Sequence, residues 1–252
     1  MSRQTEFYLK KVIALFSAIE GENKDAIDRA SDIMVEAIEK DRLIHVIGPG
    51  GHSNIGAEEM FYRAGGLVPV NPILDQGTAL ICGAFRSTVI ERTPGYGKAV
   101  LDSYGVGSGE PIVIINAYGI NSMCIDVALE AKKRGMKTIG VTSKSYADTV
   151  AKDHPARHPS GKNLYEIVDV FVDSHLPLGD AVVEFENFGE KVAPTSTLVN
   201  SFTVNLLVIE TVRKLLEKGI NPPVWRSANM PGGDEANKKY FQKYMGRIKH
   251  LR

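Results

Sequence analysis

One stretch limits the possible folds more than any other: Leu43-Ile-His-Val-Ile-Gly-Pro-Gly-Gly-His-Ser-Asn-Ile-Gly-Ala-Glu-Glu59. The run 43–47 is short, β-branched and continuously apolar, as a strand buried on both faces of a parallel sheet is. A glycine turn follows, then a helical pattern. Gly48, Gly50 and Gly51 allow positive φ and let a ligand approach the backbone. Ser53 or Asn54 caps the helix. Its first N–H groups lack partners within the helix, so they face an incoming anion or hydroxyl. The turn is not a nucleotide signature. Gly-Pro-Gly-Gly-His-Ser departs from Gly-x-Gly-x-x-Gly, although Gly51 and Gly56 loosely imitate it. The lysine of a nucleotide-triphosphate loop is absent.

The same alternation recurs along the chain. Residues 5–39 carry apolar positions at helical spacing, broken into two helices at Gly21-Glu-Asn; such an arm reads as packing or dimer surface. The helix from Ser53 runs through Glu58, Glu59, Phe61 and Arg63 and stops at Gly65-Gly66. Leu67–Val70 reads as the second strand, with Asn71-Pro72 as a turn. Residues 74–104 read as a loop and a helix in which Arg86, Glu91 and Arg92 form solvated salt bridges. Pro111–Asn116 is the third strand, and a loop follows whose Asn121 or Ser122 caps a helix ending at Gly135. Lys137–Thr142 is the fourth strand, and Ser143-Lys-Ser145 a polar tip.

The irregular loop 152–163 holds Lys152, His154, Arg157, His158 and Lys162. It reads equally as an anion site or as solvated surface. Asp169–Asp173 is the fifth strand. A hairpin is expected within 181–200. The helix from about Ser196 to Leu216, capped by Thr195 or Ser196, is apolar enough to be expected buried. Pro222-Pro223 stops it, and Trp225 pins the tail or lines a pocket. A charged helix begins near Asp234. Strands alternating with helices imply an α/β, three-layer αβα fold with right-handed crossovers. Ligands in such sheets bind beyond the carboxyl ends of the strands, where the tips 48–54, 116–122, 142–145 and 173–180 converge. Those tips lack the aromatic platform of a nucleobase binder.

Charge excludes other classes. Thirty basic and thirty acidic residues cancel across 252 residues. No global field therefore draws the chain to nucleic acid or an anionic membrane. No apolar run reaches membrane-spanning length, and Met1-Ser-Arg-Gln-Thr-Glu opens a polar helix rather than a signal peptide. A soluble cytoplasmic protein is expected. Cys82 and Cys124 lack metal-ligand spacing, so no metal is expected.

Several stretches, in order across most of residues 40–230, resemble the SIS (sugar isomerase) family, and in particular a bacterial phosphoheptose isomerase-like branch. They are Gly50-Gly-His-Ser53 with Glu58-Glu59; Phe61-Tyr-Arg-Ala-Gly-Gly-Leu67; Arg157-His-Pro-Ser-Gly-Lys162; Gly179-Asp-Ala181; Pro194-Thr-Ser-Thr197; and Pro222-Pro-Val. The resemblance implies a flavodoxin-like sheet of five parallel strands over residues 41–220, with a helical arm (1–40) and a tail (221–252). It implies a homodimer or higher homo-oligomer that needs no cofactor. The implied activity is aldose–ketose isomerisation of an anionic sugar through an enediol. A non-catalytic sugar-phosphate sensor, or a lyase or deaminating isomerase of amino-sugar phosphates, are the alternatives.

The family's phosphate loop after the third strand usually reads Ser-x-Ser-Gly-x-Thr. Here it reads Asn116-Ala-Tyr-Gly-Ile-Asn121, so Gly119 fits while Asn116, Tyr118 and Asn121 replace hydroxyl donors. Asparagine amides donate from farther out, and tyrosine fills space. The change suits a sulfonate, as in a 6-deoxy-6-sulfo hexose; alternatively backbone N–H groups and Asn121 still hold a phosphate. By resemblance Glu59 or Glu58 is the base. His52, or His175 or His158, is the proton shuttle to the ring oxygen, oriented by Asp180. The remaining expected sugar contacts are Gly50, Gly51, Ser53, Asn54, Arg63, Ser122, Ser143, Arg157, Lys162, Thr195, Ser196 and Thr197.

Overall fold

The computed structural model describes residues 1–252. Five short runs rich in Ile and Val form one parallel sheet: β1 (Ile44–Ile47), β2 (Val70–Ile73), β3 (Ile112–Ile115), β4 (Thr138–Thr142) and β5 (Val170–Asp173). Their order is β2-β1-β3-β4-β5, the flavodoxin-like order expected, and all pairs are parallel. The sheet is covered on both faces, which is why its strands are continuously apolar. Val46, Val113, Ile115 and Val141 point to one layer, packed with α2 (Lys24–Glu39), α3 (Asn54–Met60) and α9 (Ser196–Glu217). Ile47, Ile73, Ile112 and Ile114 point to the other, packed with α5 (Tyr96–Ser103) and α6 (Ser122–Lys133). The order reverses between β1 and β3, so the loops after these strands diverge and leave a crevice.

The remaining elements frame that crevice. Helix α1 (Arg3–Glu22) precedes α2, and buried Asn23 between them hydrogen-bonds to the Asp173 backbone at the end of β5. A 3₁₀ turn (Leu80–Cys82) leads into α4 (Ala84–Glu91); α7 (Lys144–Thr149) and α8 (Leu164–Ile167) follow β4. The expected hairpin is present as β6 (Ala181–Phe185) and β7 (Phe188–Pro194). Helix α9, expected buried, is buried along one face that includes Val199, Thr203, Val204, Leu207, Val208, Thr211 and Leu215, whereas Ile209 and Leu216 stay exposed. The tail forms α10 (Gly233–Tyr244) and a terminal 3₁₀ turn. No helix is long and apolar enough to cross a membrane.

Two boundaries differ from the sequence reading. The second strand is Val70–Ile73, so Asn71 and Pro72 lie in it rather than in a turn. Pro72 is tolerated because β2 is an edge strand, where a missing donor faces outward. Leu67 and Val68 are held instead by the tail: the Val68 N–H donates to the Pro223 carbonyl, and the Trp225 N–H to that of Gly66. The helix after the glycine turn ends at Met60, before Arg63, because Phe61 is extended and Tyr62 has φ 51°. That break sets the Tyr62 ring edge-on to Trp225, with centroids 5.0 Å apart. Trp225 is 3% exposed and packs with Leu43, Val68 and Tyr244, so it pins the tail.

A polar network supports β1 from behind. The His45 Nδ1 accepts from the Asn71 amide (3.0 Å), so Nε2 carries the proton donated to Glu110 (2.7 Å); the Leu43 N–H also donates to Glu110 (2.9 Å). Burial acts to raise the Glu110 pKa, but the donors from His45 and Leu43 outweigh it and hold the carboxyl below its usual range. A depressed carboxylate contributes stability above its unfolded pKa and loses it as pH falls through the folded one. Glu110→Gln is therefore expected to lower unfolding free energy at neutral pH by about 1 kcal/mol. In urea titrations the gap to wild type should close in acid; a gap that widens in acid contradicts this role.

Candidate active site

The crevice is a cavity of about 460 Å³ beyond the carboxyl ends of β1 and β3. Its floor is the glycine turn. A Cβ on Gly48 would overlap the Ser53 carbonyl, so the turn closes on its own backbone. A Cβ on Gly50 would lie 2.6 Å from Glu91 Oε2, and one on Gly51 2.6 Å from Leu80 Cδ2. The room that two of these glycines leave is thus taken by Glu91 and Leu80, whereas the sequence suggested room for a ligand.

Glu91 sits at the last turn of α4, with Arg92 following it, and both line the cavity. Burial raises the Glu91 pKa above the usual carboxylate range; the charge of Arg92 and the Gly51 N–H offset only part of that. Ser87 and Thr88 lie one turn earlier on the same helix face, also in the lining. Helix α4 is amphipathic in the reverse sense. Ser87, Thr88 and Glu91 face the cavity, while Phe85 is 84% exposed, as is 95% of Ile81 in the preceding turn.

The loop after β3 forms a second wall. Asn116 Oδ1 accepts from the N–H groups of Tyr118 (3.2 Å) and Gly119 (2.8 Å), and Nδ2 donates to the Pro49 carbonyl (3.0 Å). One side chain therefore ties the two loops together and uses two backbone donors that a bound anion would otherwise take. Gly119 has φ 63°, and a Cβ there would lie 2.6 Å from Thr142 Oγ1. Asn121 stands at the N-cap of α6 but makes no side-chain capping bond, so no side-chain acceptor caps the first N–H groups of that helix. The Tyr118 ring stacks on Tyr146, with centroids 4.0 Å apart. Burial keeps the Tyr118 hydroxyl protonated.

The third wall comes from the start of α9. Asp180, with φ 67°, turns its carboxylate onto this helix end. Its Oδ1 accepts from the N–H groups of Thr195 (2.8 Å) and Ser196 (2.7 Å), and its Oδ2 from Ser196 Oγ (2.6 Å). Asp180 is thus the capping anion of α9 rather than a residue that orients a histidine. Asn200, one turn further, lines the cavity and is 4% exposed, and its Oδ1 has no protein partner. His154 faces in from the 152–163 loop; its Nδ1 accepts from the Ala156 N–H (3.1 Å), so the neutral ring carries its proton on Nε2.

Of the residues expected from sequence, Gly51, His52, Ser53, Asn116, Tyr118, Asn121, Asp180, Ser196 and Thr197 come together in this lining. Gly50 lies just behind, under Glu91. The others are used elsewhere. Glu58 is exposed, while Glu59 pairs with Arg63 (3.4 Å) and Asn205 (3.2 Å) outside the cavity. Asn54 donates to Thr78, and Ser143 to the Leu176 carbonyl. Ser122 is buried in the first turn of α6, and Thr195 is buried at the N-cap of α9.

Arg157 is spent on the carbonyls of Ala147, Val150 and Ala151 and on Asn163, so it braces the loop and binds no anion there. His158 contacts Asp126 (3.2 Å) and Ser160 (2.8 Å), His175 faces Glu22 (3.6 Å), and Lys162 is exposed. Sequence reasoning missed Ser87, Thr88, Glu91, Arg92, Tyr146 and Asn200 as cavity residues. The available signal was in α4, where polar residues recur at helical spacing on the face opposite Phe85 and Val89.

The model of the SIS domain matches residues 7–143. The chain belongs to the SIS domain family. This SIS chain is 39% identical over 241 residues to a UPF0309 protein of Geobacillus thermodenitrificans, covering 96% of this chain and 95% of that one. It is 37% identical over 252 residues, the whole of both chains, to a UPF0309 protein of Oceanobacillus iheyensis. Its fold is shared with phosphoheptose isomerase GmhA from Neisseria gonorrhoeae, at a TM-score of 0.53 and 14% identity over 84% of this chain and 97% of that one. A phosphoheptose isomerase from Francisella tularensis gives 0.50 and 15%, over 84% and 100%.

The raised pKa of Glu91 in the SIS chain has a sign that can be checked. A carboxyl whose folded pKa lies above its unfolded value makes the folded state costlier once the unfolded chain ionises. Stability is therefore lost as pH rises from the ordinary carboxylate range through the folded value. Glu91→Gln should match wild type in thermal midpoint in acid and equal or exceed it at neutral pH. A variant that is less stable at neutral pH than in acid, relative to wild type, contradicts the burial cost.

Proposed function

We propose that this protein is an aldose–ketose isomerase of an anionic sugar and that Glu91 is its base. The supporting observation is a carboxylate of raised pKa, held on the glycine turn at the sheet's switch point and beside the fixed positive charge of Arg92. A base with a pKa lifted toward the working pH removes a carbon-bound proton more effectively than an ordinary carboxylate does. Glu91 takes the proton from the carbon beside the carbonyl. The electron pair left behind forms the enediol double bond, and the carbonyl oxygen takes a proton. Reverse transfer delivers the proton from Glu91 to the former carbonyl carbon, while the hydroxyl on the neighbouring carbon returns a proton to the group that protonated the first oxygen and becomes the new carbonyl.

The His154 Nε2–H, or His52 on the turn, donates to the oxygen where negative charge develops. The anionic group is assigned to Arg92 and the uncapped start of α6. Two donors of the neighbouring loop are held by Asn116, which favours a less highly charged group than phosphate, such as the sulfonate of a 6-deoxy-6-sulfo hexose. The exposed Ile81 and Phe85 support a subunit contact beside the cavity, consistent with a homodimer working in the cytoplasm.

Three variants test these roles with fructose 6-phosphate and 6-deoxy-6-sulfofructose in deuterated buffer. Glu91→Gln should slow solvent-proton exchange at the carbons flanking the carbonyl by about 10²–10⁴, whereas Glu59→Gln should keep the wild-type rate. Equal exchange by Glu91→Gln and wild type removes Glu91 from the mechanism. Arg92→Met should raise KM about tenfold with little change in kcat, the cost of one charge-assisted contact; a fall confined to kcat would contradict a binding role.

A further inference from the structure

Helix α4 carries Glu91, yet no apolar side chain anchors it. Ser87 is its one buried residue. Phe85 and Val89 are exposed, and neither core of the sheet includes a side chain from this helix. A surface helix is ordinarily held by its apolar face. Here the anchor is polar. The Ser87 Oγ donates to the Thr78 carbonyl (2.8 Å), and the two residues are 2% and 0% exposed. The Asn54 amide, at the start of α3, donates to the Thr78 hydroxyl (3.2 Å). That hydroxyl and the Thr78 N–H donate in turn to the carbonyl (3.2 Å) and the carboxylate (3.1 Å) of Asp75. The Tyr96 hydroxyl, at the start of α5, donates to the same carboxylate (3.1 Å). Thr78 is thus a node that joins α3, α4 and α5, and Ser87 is the link from α4.

Ser87 and Glu91 are four residues apart, so they share one face of the helix, a turn from each other. Ser87 Oγ lies 3.3 Å from where a Cβ on Gly51 would stand, and Glu91 Oε2 2.6 Å from where one on Gly50 would stand. The two side chains therefore rest on neighbouring glycines of the turn. We infer that Ser87 is the positioning residue of Glu91: its bond to the Thr78 carbonyl pins α4 to the glycine turn and keeps the Glu91 carboxylate on Gly50, out of water. A single turn of helix transmits the position, because nothing apolar on α4 fixes it independently.

The assignment rests on the reading of Glu91 as base only for its catalytic consequence; the coupling itself shows in how Glu91 titrates. The full-length protein, labelled at glutamate carboxyls, is followed by carbon-13 NMR. Ser87→Ala should bring the Glu91 midpoint down toward the ordinary carboxylate range, because water then reaches the carboxylate. Amide hydrogen exchange within α4 should quicken about five- to tenfold, the weight of one buried hydrogen bond, while β1 and β3 keep their protection. Thr93→Val removes an exposed hydroxyl bond to the Val89 carbonyl and should leave the Glu91 midpoint in place. With saturating fructose 6-phosphate in deuterated buffer, Ser87→Ala should slow solvent-proton exchange at least about tenfold. In a Glu91→Gln background the same substitution should cost nothing further, since a positioning residue acts through the group it positions.

An unmoved Glu91 midpoint in Ser87→Ala overturns the assignment. So does an equal shift in Thr93→Val, or a rate loss that persists in full when Glu91 is already Gln; either would mark Ser87 as structural only. If the midpoint and the α4 exchange respond as expected while wild type exchanges no carbon-bound proton, the positioning role stands and the isomerase reading falls.

Discussion

A carboxylate resting on a glycine organises the site. Glu91 approaches the backbone at Gly50 so closely that no Cβ fits between them. The contact does two things at once. It removes the carboxylate from water, which raises its pKa, and it aims that carboxylate into the crevice where the strand order reverses. The glycine turn is therefore shaped by what packs on it from α4 as much as by any ligand. Its own closure, Gly48 against Ser53, keeps it from yielding to either.

Around that contact the cavity is electrically uneven. Arg92 and the uncapped start of α6 favour negative charge. The α9 end favours the opposite, because Asp180 has occupied the helix terminus that would otherwise attract an anion. Asn116 removes two further backbone donors between these ends. The stacked pair Tyr118 and Tyr146 adds a flat apolar plate to the same lining.

The sheet was legible in the sequence because five runs of Ile and Val have no other stable use than as strands buried on both faces. The edge strand was misplaced by three residues. Pro72 resembles a turn residue until its position at the sheet's edge is known, and only tertiary pairing with the tail explains why Leu67 and Val68 are not in the sheet. Asn116 and Asn121 were singled out because they differ from the loop pattern that the resemblance implies, and both line the cavity. What Asn116 does is not visible in the sequence, because its partner Pro49 lies far away in the chain. Glu91 was hidden for a related reason. A charged residue in a helix whose apolar residues point outward has the same composition as one on an ordinary solvated face, and only the fold decides which face is wet.

The chemistry of the site depends most on the protonation of Glu91. Carbon-13 NMR of the protein labelled at glutamate side-chain carboxyls, with the Glu91 signal assigned by its loss in Glu91→Gln, gives that pKa directly. A midpoint above the ordinary carboxylate range, with a further change when an anionic sugar is added, is the result this structure predicts. A midpoint within the ordinary range, indifferent to sugar, would contradict it.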